Sequence, residues 1–345
     1  MTPTVTMVAP DGVGDPLRPS GGNTYDRRLC QELAAAGWTV DLQQVPGTWP
    51  RADAESRLHL AAVLARPPGG ASVLLDGLVA LAAPEVVVPA GRRLRTVVVV
   101  HMPLDGAGEG AVLRSATAVV ATSHWTRRWL LSRHRLDPAR VHVAAPGVDP
   151  APPAVGSPDG GSLLCVGAVV PEKGHDLLVA ALASIADLPW RCVAVGSLDC
   201  DPAYVAGLRA DIRAAGLVDR VELTGPLAGA RLAAAYGAAD VLVHASRAET
   251  YGMVVTEALA RGLPVIACAV GGVPEALGTA PDGRPPGVLT PVDDVDALAG
   301  ALRGWVTDAG LRRRLRAAAG SRRPELADWL ATGHRVARVL EDVAA

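Results

Sequence analysis

The chain contains no phenylalanine, and aromatic residues make up only 3% of it. Lysine is almost as scarce: of 33 basic residues, 32 are arginine and one, Lys173, is lysine. The richness in Ala, Gly, Pro and Arg accounts for much of this bias, so Lys173 stands out as a lysine kept against the trend. A long apolar run is also missing. The most apolar stretch, Ala71 to Pro89, is broken by Asp76, Gly77, Pro84 and Glu85, whereas a membrane span needs about 20 largely uninterrupted apolar residues. No basic n-region followed by an apolar h-region opens the chain, so no secretory leader is expected. None of the five cysteines forms a C-x-x-C pair, which argues against a zinc cage. Cys165 and Cys192 sit in apolar, strand-like runs where a thiol behaves as a small hydrophobe, and a reducing, cytoplasmic setting is expected. A basic excess is lacking too. The net charge is −2 and the pI about 6.4, without the basic footprint of a nucleic-acid binder.

What is present is 345 residues, half of them hydrophobic, enough for about two domains. Short β-branched runs alternate with longer amphipathic segments, the pattern of a parallel α/β sheet. Strands are expected near Val5–Val8, Thr39–Val45, Val73–Leu75, Thr96–Val100 and Ala118–Ala121, with a helix from Asn23 to Ala36. The Pro/Gly-rich segment Ala151–Gly161 reads as a linker. Strands then resume near Leu163–Val166, Cys192–Val195, Val221–Leu223, Val241–Val243 and Pro264–Ala267, and the chain ends in helices at Ala297–Thr307, Leu311–Ala319 and Glu325–Val343. Two doubly wound parallel sheets follow. Their ligands belong at the strand C-termini, in a cleft where the two halves face each other.

Four segments carry chemistry. From Asp240 to Glu275 runs ADVLVHASRAETYGMVVTEALARGLPVIACAVGGVPEA, with Glu249 and Glu257 flanking Gly252 and Met253. It reads as a strand, a loop carrying Glu249 and a helix opening near Gly252, whose unpaired amides and dipole attract phosphate. CVGAVVPEKGHDLLVAAL, from Cys165 to Leu182, is another strand–loop–helix, and it holds the sole lysine. PSGGNTYDRRL, from Pro19 to Leu29, places Gly21 and Gly22 at a helix start, where backbone can approach a ligand closely. It is not a G-x-G-x-x-G, so the dinucleotide fingerprint is absent. VVVVHMPL puts His101 at the end of a buried strand.

These segments together resemble the retaining GT-B glycosyltransferases of family 4. The resemblance implies two Rossmann-like domains facing a central cleft. One is an N-terminal acceptor domain over residues 1–152, joined by a C-terminal helix, 323–345, that crosses back. The other is a nucleotide-sugar domain over 153–322. It implies that Glu249 lies beside the donor sugar, that Glu257 binds the nucleotide ribose, and that the amides of Gly252 and Met253 hold the diphosphate. Lys173 would bind the donor phosphates, Gly21 and Gly22 would meet them through backbone amides, and His101 would contact the sugar near the reacting carbon. Many members carry an arginine where this chain has Ala168, and Arg247 is a candidate to replace it. ATSHWTRRWL, VAAPGVDP, VELTGPL around Gly225 and the final helix with Trp329 extend the resemblance over nearly the whole chain.

Two features read more plainly. Asp199-Cys200-Asp201 is a D-x-D, a metal motif in the GT-A transferases, but it follows a strand of the second half and reads as a loop with a helix cap. Arg127, Arg128, Arg133, His134 and Arg135 read as a solvated helix face in preference to a contact with an anionic lipid surface (a peripheral membrane contact) or with the acceptor. The implied activity is metal-independent glycosyl transfer with retention, from a nucleotide-sugar donor to an acceptor the sequence does not identify. The rivals are a nucleotide-sugar epimerase of the same fold and a degenerate sugar-nucleotide-binding subunit that has lost the arginine at Ala168. Glu249, Glu257 and Lys173 favour the transferase.

Overall fold

A computed structural model describes residues 2–15 and 20–345; Pro16 to Pro19, within the first glycine-rich loop, lie outside the described residues. The chain divides into two compact units, Met1–Gly147 with Ala327–Ala345, and Val148–Leu326. Each is built on a six-stranded sheet in which every adjacent pair of strands is parallel.

In unit 1 the strands are β1 (Thr4–Pro10), β2 (Thr39–Val45), β3 (Ser72–Asp76), β4 (Arg95–Val100), β5 (Ala118–Ala121) and β6 (Val141–Val143), in the order β2-β1-β3-β4-β5-β6. In unit 2 they are β7 (Ser162–Val166), β8 (Arg191–Val195), β9 (Val221–Gly225), β10 (Val241–His244), β11 (Val265–Cys268) and β12 (Gly287–Thr290), in the order β12-β11-β10-β7-β8-β9. The central strands are buried on both faces and so read as continuous apolar runs; all five residues of β3 and all four of β10 are buried.

β6 and β12 are edge strands of three and four residues that the sequence pattern does not show. They pair through register with β5 and β11, which is tertiary information. The final helix also differs from expectation. Pro324 sits in a short 3-10 turn, Arg323–Glu325, and the helix proper runs Trp329–Ala344 with Asp328 as its cap, accepting from the Ala331 amide at 2.8 Å. Within unit 1 this helix packs on the helix Gly21–Ala35. Trp329 stands edge-on to Tyr25 at 5.8 Å, and Thr332 Oγ1 donates to the Ala145 carbonyl at 2.8 Å.

Without phenylalanine, the largest fully buried side chains include Trp305, Tyr25 and Tyr236. Each brings a polar hydrogen that needs a partner when buried. Trp305 Nε1 donates to the Gly160 carbonyl at 2.8 Å, Tyr25 to the Ala144 carbonyl at 2.9 Å, and Tyr236 to Glu257 at 2.7 Å.

The units meet in sequence at 147/148 and 326/327, a few residues from the 152/153 and 322/323 that the resemblance implies. The intervening residues are tied into unit 2: Ala154 and Val155 donate to the carbonyls of Arg261 and Gly237, and Arg323 donates to those of Ala260 and Ala151. Asp240 anchors the rest of the Pro/Gly-rich segment. Its carboxylate is buried and accepts from the amides of Ser157 and Ser162, each at 2.9 Å, from the Ser157 hydroxyl and from Arg316. Removing one buried acceptor strands several donors, each costing about 1–3 kcal/mol when unpaired. Asp240→Ala is therefore expected to destabilise unit 2 by about 3 kcal/mol, and Ser157→Ala by about 1 kcal/mol. Urea unfolding measures both; a loss below about 1 kcal/mol for Asp240→Ala would show that this carboxylate is not the anchor.

Candidate functional site

In unit 2 the strand order reverses between β7 and β10, so the loops leaving their carboxyl ends diverge and open a crevice. The loop after β7 ends in a 3-10 turn, Pro171–Lys173, and the loop after β10 carries Glu249. The two side chains meet: Lys173 Nζ is 2.6 Å from Glu249 Oε2. His244, the last residue of β10 and 4% exposed, brings Nε2 to 3.3 Å from the same oxygen. Burial alone would raise the Glu249 carboxyl, but His244 and Lys173 outweigh it and hold its pKa at about 2. Glu249 is thus an ionised, oriented acceptor, and Lys173 an ammonium fixed at the crevice and 29% exposed.

The backbone under Glu249 is held by Gly271 and Gly272. The Gly272 amide donates to the Glu249 carbonyl at 3.2 Å. Gly271 has φ +55°, and a Cβ there would stand 1.5 Å from that carbonyl oxygen, so only glycine fits. Gly252, at φ +98°, lies against the Glu249 stem and caps the helix Met253–Leu259, with Met253 its first residue. Glu257 is half-buried in that helix and accepts the Tyr236 hydroxyl at 2.7 Å; Arg261 lies 4.5 Å above the Tyr236 ring and donates to the Glu257 carbonyl. Burial raises the Glu257 carboxyl against the opposing pull of Tyr236 and Arg261.

Lys173, Glu249 and Gly252 are therefore brought together, with Met253 and Glu257 on the adjoining helix. Arg247 is not placed to supply the cation missing at Ala168. Its guanidinium forks onto Asp176, at 2.7 and 2.8 Å, and its Nε is paired with Asp293, so its charge is already matched. The D-x-D is a loop leading into a capped helix: Asp199 is exposed, and Asp201 Oδ1 accepts from the Tyr204 amide at 2.9 Å. On the arginine-rich helix, Arg128 and Arg133 are exposed, but Arg127 is half-buried and donates to the Val141 and Pro138 carbonyls.

In unit 1 the order reverses between β1 and β3, and candidate residues again gather at the strand ends. Ser20 caps the helix Gly21–Ala35, its hydroxyl accepting from the Asn23 amide at 3.0 Å. Gly21 is exposed at the first position. A Cβ on Gly22 would come within 3.3 Å of the His101 ring, so the second glycine makes room for the histidine that follows β4. His101 Nε2 lies 2.7 Å from Asp26 Oδ1 on that helix and 3.4 Å from Asp76 Oδ2 at the end of β3. Asp76 Oδ1 also accepts from the Val79 amide at 3.1 Å. Tyr25 stands edge-on to His101 at 5.0 Å. Asp26, Asp76 and His101 are also the group among the described residues with ligand atoms close enough, within 4.8 Å, to share an ion, although the 2.7 Å contact is a completed hydrogen bond.

The sequence reading passed over His244, Asp26 and Asp76. His244 ends an apolar strand just as His101 does, and the same signal applies to both. Asp26 falls in the buried stripe of Tyr25, Leu29 and Leu33, where a carboxylate is out of place unless paired.

No helix among the described residues is long and apolar enough to cross a membrane. The family model described as Glycosyl transferases group 1 matches residues 155–322, and that described as Glycosyltransferase Family 4 matches 19–152. A D-inositol 3-phosphate glycosyltransferase of Kineococcus radiotolerans is 35% identical over 255 residues, covering 67% of this chain and 58% of that protein. Its counterpart from Jonesia denitrificans is 35% identical over 232 residues, 61% of this chain and 54% of the relative; the chain thus matches little more than half the length of these relatives. Among solved structures, sucrose-phosphate synthase of Thermosynechococcus elongatus shares the fold with a TM-score of 0.80 at 23% identity, covering 99% of each chain. Anabaena HepE, solved in complex with UDP-glucose, has a TM-score of 0.78 at 18% identity, covering 98% of this chain and 99% of its own. With two parallel-sheet Rossmann-like units of the GT-B type and both halves matched, the chain belongs to the group 1, family 4 glycosyltransferases.

Proposed function

We propose that the protein is a retaining glycosyltransferase that moves a sugar from a nucleotide-sugar donor to an acceptor hydroxyl without a metal ion. The observation that carries this is the Lys173–Glu249 pair at the switch point of the second sheet, 2.6 Å apart and buttressed by His244. An ammonium there meets the donor diphosphate, and an ionised carboxylate beside it accepts from the sugar hydroxyls. Amides at Gly21, Gly22, Gly252 and Met253 take further phosphate oxygens, Glu257 takes the ribose hydroxyls, and His101 orients the sugar.

With no nucleophile assigned, the step is front-face. The bond from the anomeric carbon to the diphosphate oxygen breaks, an oxocarbenium-like state forms, and the acceptor oxygen attacks from the same face. The acceptor proton passes to the departing diphosphate oxygen. Lys173 stabilises the charge that develops on that oxygen. HepE's complex with UDP-glucose makes uridine donors the first to test, and D-inositol 3-phosphate, named for the relatives, is the first acceptor.

A thermal-shift screen of nucleotide sugars identifies the donor, since ligand at 100 times Kd adds about 2.7 kcal/mol. With donor and acceptor in hand, the anomeric configuration of the product by NMR decides retention. An inverted product excludes the front-face route, and an epimer formed without acceptor indicates the rival epimerase.

Lys173→Ala is expected to lower kcat by about 10²–10³, the loss of about 3–4 kcal/mol made mainly in the transition state. Lys173→Arg recovers little, because a planar fork does not fit a seat shaped for a point charge beside Glu249. Both variants keep a near-native Tm. If Lys173→Ala retains more than about a tenth of kcat, Lys173 does not clamp the leaving group.

Glu257→Gln is expected to weaken free-nucleotide binding by about 1.5–3 kcal/mol, the worth of a charge-assisted hydrogen bond. Calorimetry measures it, and unchanged affinity removes Glu257 from the ribose. Turnover should survive exhaustive chelation; complete loss restored by manganese or magnesium overturns the metal-free reading.

A further inference from the structure

Three titratable side chains from three different elements converge beneath the first sheet's carboxyl edge, and none of them reaches bulk solvent freely. Asp26 comes from the helix Gly21–Ala35, Asp76 from the end of β3 and His101 from the residue that follows β4. Asp26 and Asp76 are 1% and 4% exposed at their side chains, and His101 is 14% exposed. Both carboxylates face the same ring nitrogen, at 2.7 and 3.4 Å. Tyr25 also packs against the ring, edge-on at 5.0 Å with its hydroxyl committed to Ala144. From the C-terminal helix, Arg335 acts on Tyr25, and on the Gly21–Ala35 helix Cys30 feels Asp26.

Two carboxylates and an imidazole buried together have one low-cost charge state. Both carboxylates ionised beside a neutral ring would bury two uncompensated negative charges, which is far costlier than a neutral set. Neutrality with the 2.7 Å contact as a charge-assisted hydrogen bond requires two protons on the ring and one on a carboxyl. Asp26, in the shorter contact, is then the carboxylate, and Asp76 the acid.

Resting on the reading of His101 as a donor-sugar contact, we propose that Asp26 and Asp76 are positioning residues that hold His101 as an imidazolium, so that the first sheet presents a fixed positive charge to the donor. Burial opposes a charged ring, yet Asp26 and then Asp76 raise the His101 pKa to about 9. Burial and the neighbouring Asp26 push the Asp76 carboxyl up to about 8. Both shifts agree with the neutral cluster of a protonated ring, one carboxylate and one carboxylic acid. Gly22 belongs to the same device, since any side chain there would press on the ring within 3.3 Å.

The sign of the pH effect follows. A group whose folded pKa is raised keeps its charge, and whatever depends on it, below that value and loses it as pH rises through it. Transfer should therefore decline on the alkaline side near pH 9 rather than near the ordinary histidine value of about 6.5.

The histidine-labelled chain, followed by NMR from pH 5 to 10, tests this directly. The chain has eight histidines, and the His101 signal is identified as the one missing in His101→Gln. The midpoint is expected above about 8 in the unsubstituted chain. Asp76→Asn, which imitates a protonated Asp76, should leave the ring charged at pH 7. Asp26→Asn should lower the midpoint by at least one unit, and the double variant should bring it to about 6.5 or below. The alkaline limb of kcat/KM should move with the NMR midpoint.

A midpoint at or below about 6.5 in the unsubstituted chain overturns the proposal, even if none of the variants folds. So does a midpoint unmoved in the double variant. A His101 spectrum altered by added zinc or manganese at neutral pH would also overturn it, by making the cluster a metal site. The NMR arm needs no donor or acceptor. If the chain transfers no sugar while the titration behaves as described, the functional reading fails and the charge assignment stands; the reverse result separates them equally.

Discussion

In a parallel sheet all strands point the same way, and where the strand order reverses, the two loops that leave the neighbouring carboxyl ends must turn to opposite faces. A crevice is left at that point, lined by whatever those loops carry. Each unit of this protein is organised by that single constraint. In unit 2 the reversal lies between β7 and β10, and residues 76 positions apart, Lys173 and Glu249, end up in hydrogen-bond contact. In unit 1 it lies between β1 and β3, and the elements that follow deliver Gly22, Asp26 and Asp76 to the ring of His101.

The second constraint is electrostatic. Charged groups at such a crevice lose much of their hydration, so each must be matched within the protein. The two units do this in different ways. In unit 2 one carboxylate, Glu249, is shared between an ammonium and an imidazole and stays ionised. In unit 1 one imidazole stands between two carboxyl groups, Asp26 and Asp76, and burial and Asp26 push the second of them towards its neutral form. Matching also explains why Arg247 does not stand in for the cation missing at Ala168: Asp176 and Asp293 already hold it.

Packing follows from the composition. A chain without phenylalanine fills its largest buried positions with Trp and Tyr, and their polar hydrogens become cross-links between elements. Trp305 ties its helix to Gly160, and Tyr236 ties the helix before β10 to Glu257 in the helix after it. Tyr236 thus has a core role and orients a candidate site residue as well.

The sequence by itself determined the fold class, most strands and the chemistry-bearing segments, because apolar runs with period-independent burial and glycine-marked loop–helix junctions are local signals. It also singled out Lys173, Glu249, Glu257 and His101, each within a short motif. It did not determine the edge strands β6 and β12, whose three and four residues are strands only because β5 and β11 offer them partners. It placed the unit boundaries a few residues away, because the Pro/Gly-rich segment has no pattern and is held by Asp240, 78 to 83 residues on in the chain. Tertiary structure alone decided which charges face one another. Asp26, Asp76 and His101 are ordinary residues at separations of 50 and 25 positions, and they form one cluster only after β3 and β4 pair and the first helix lies against them.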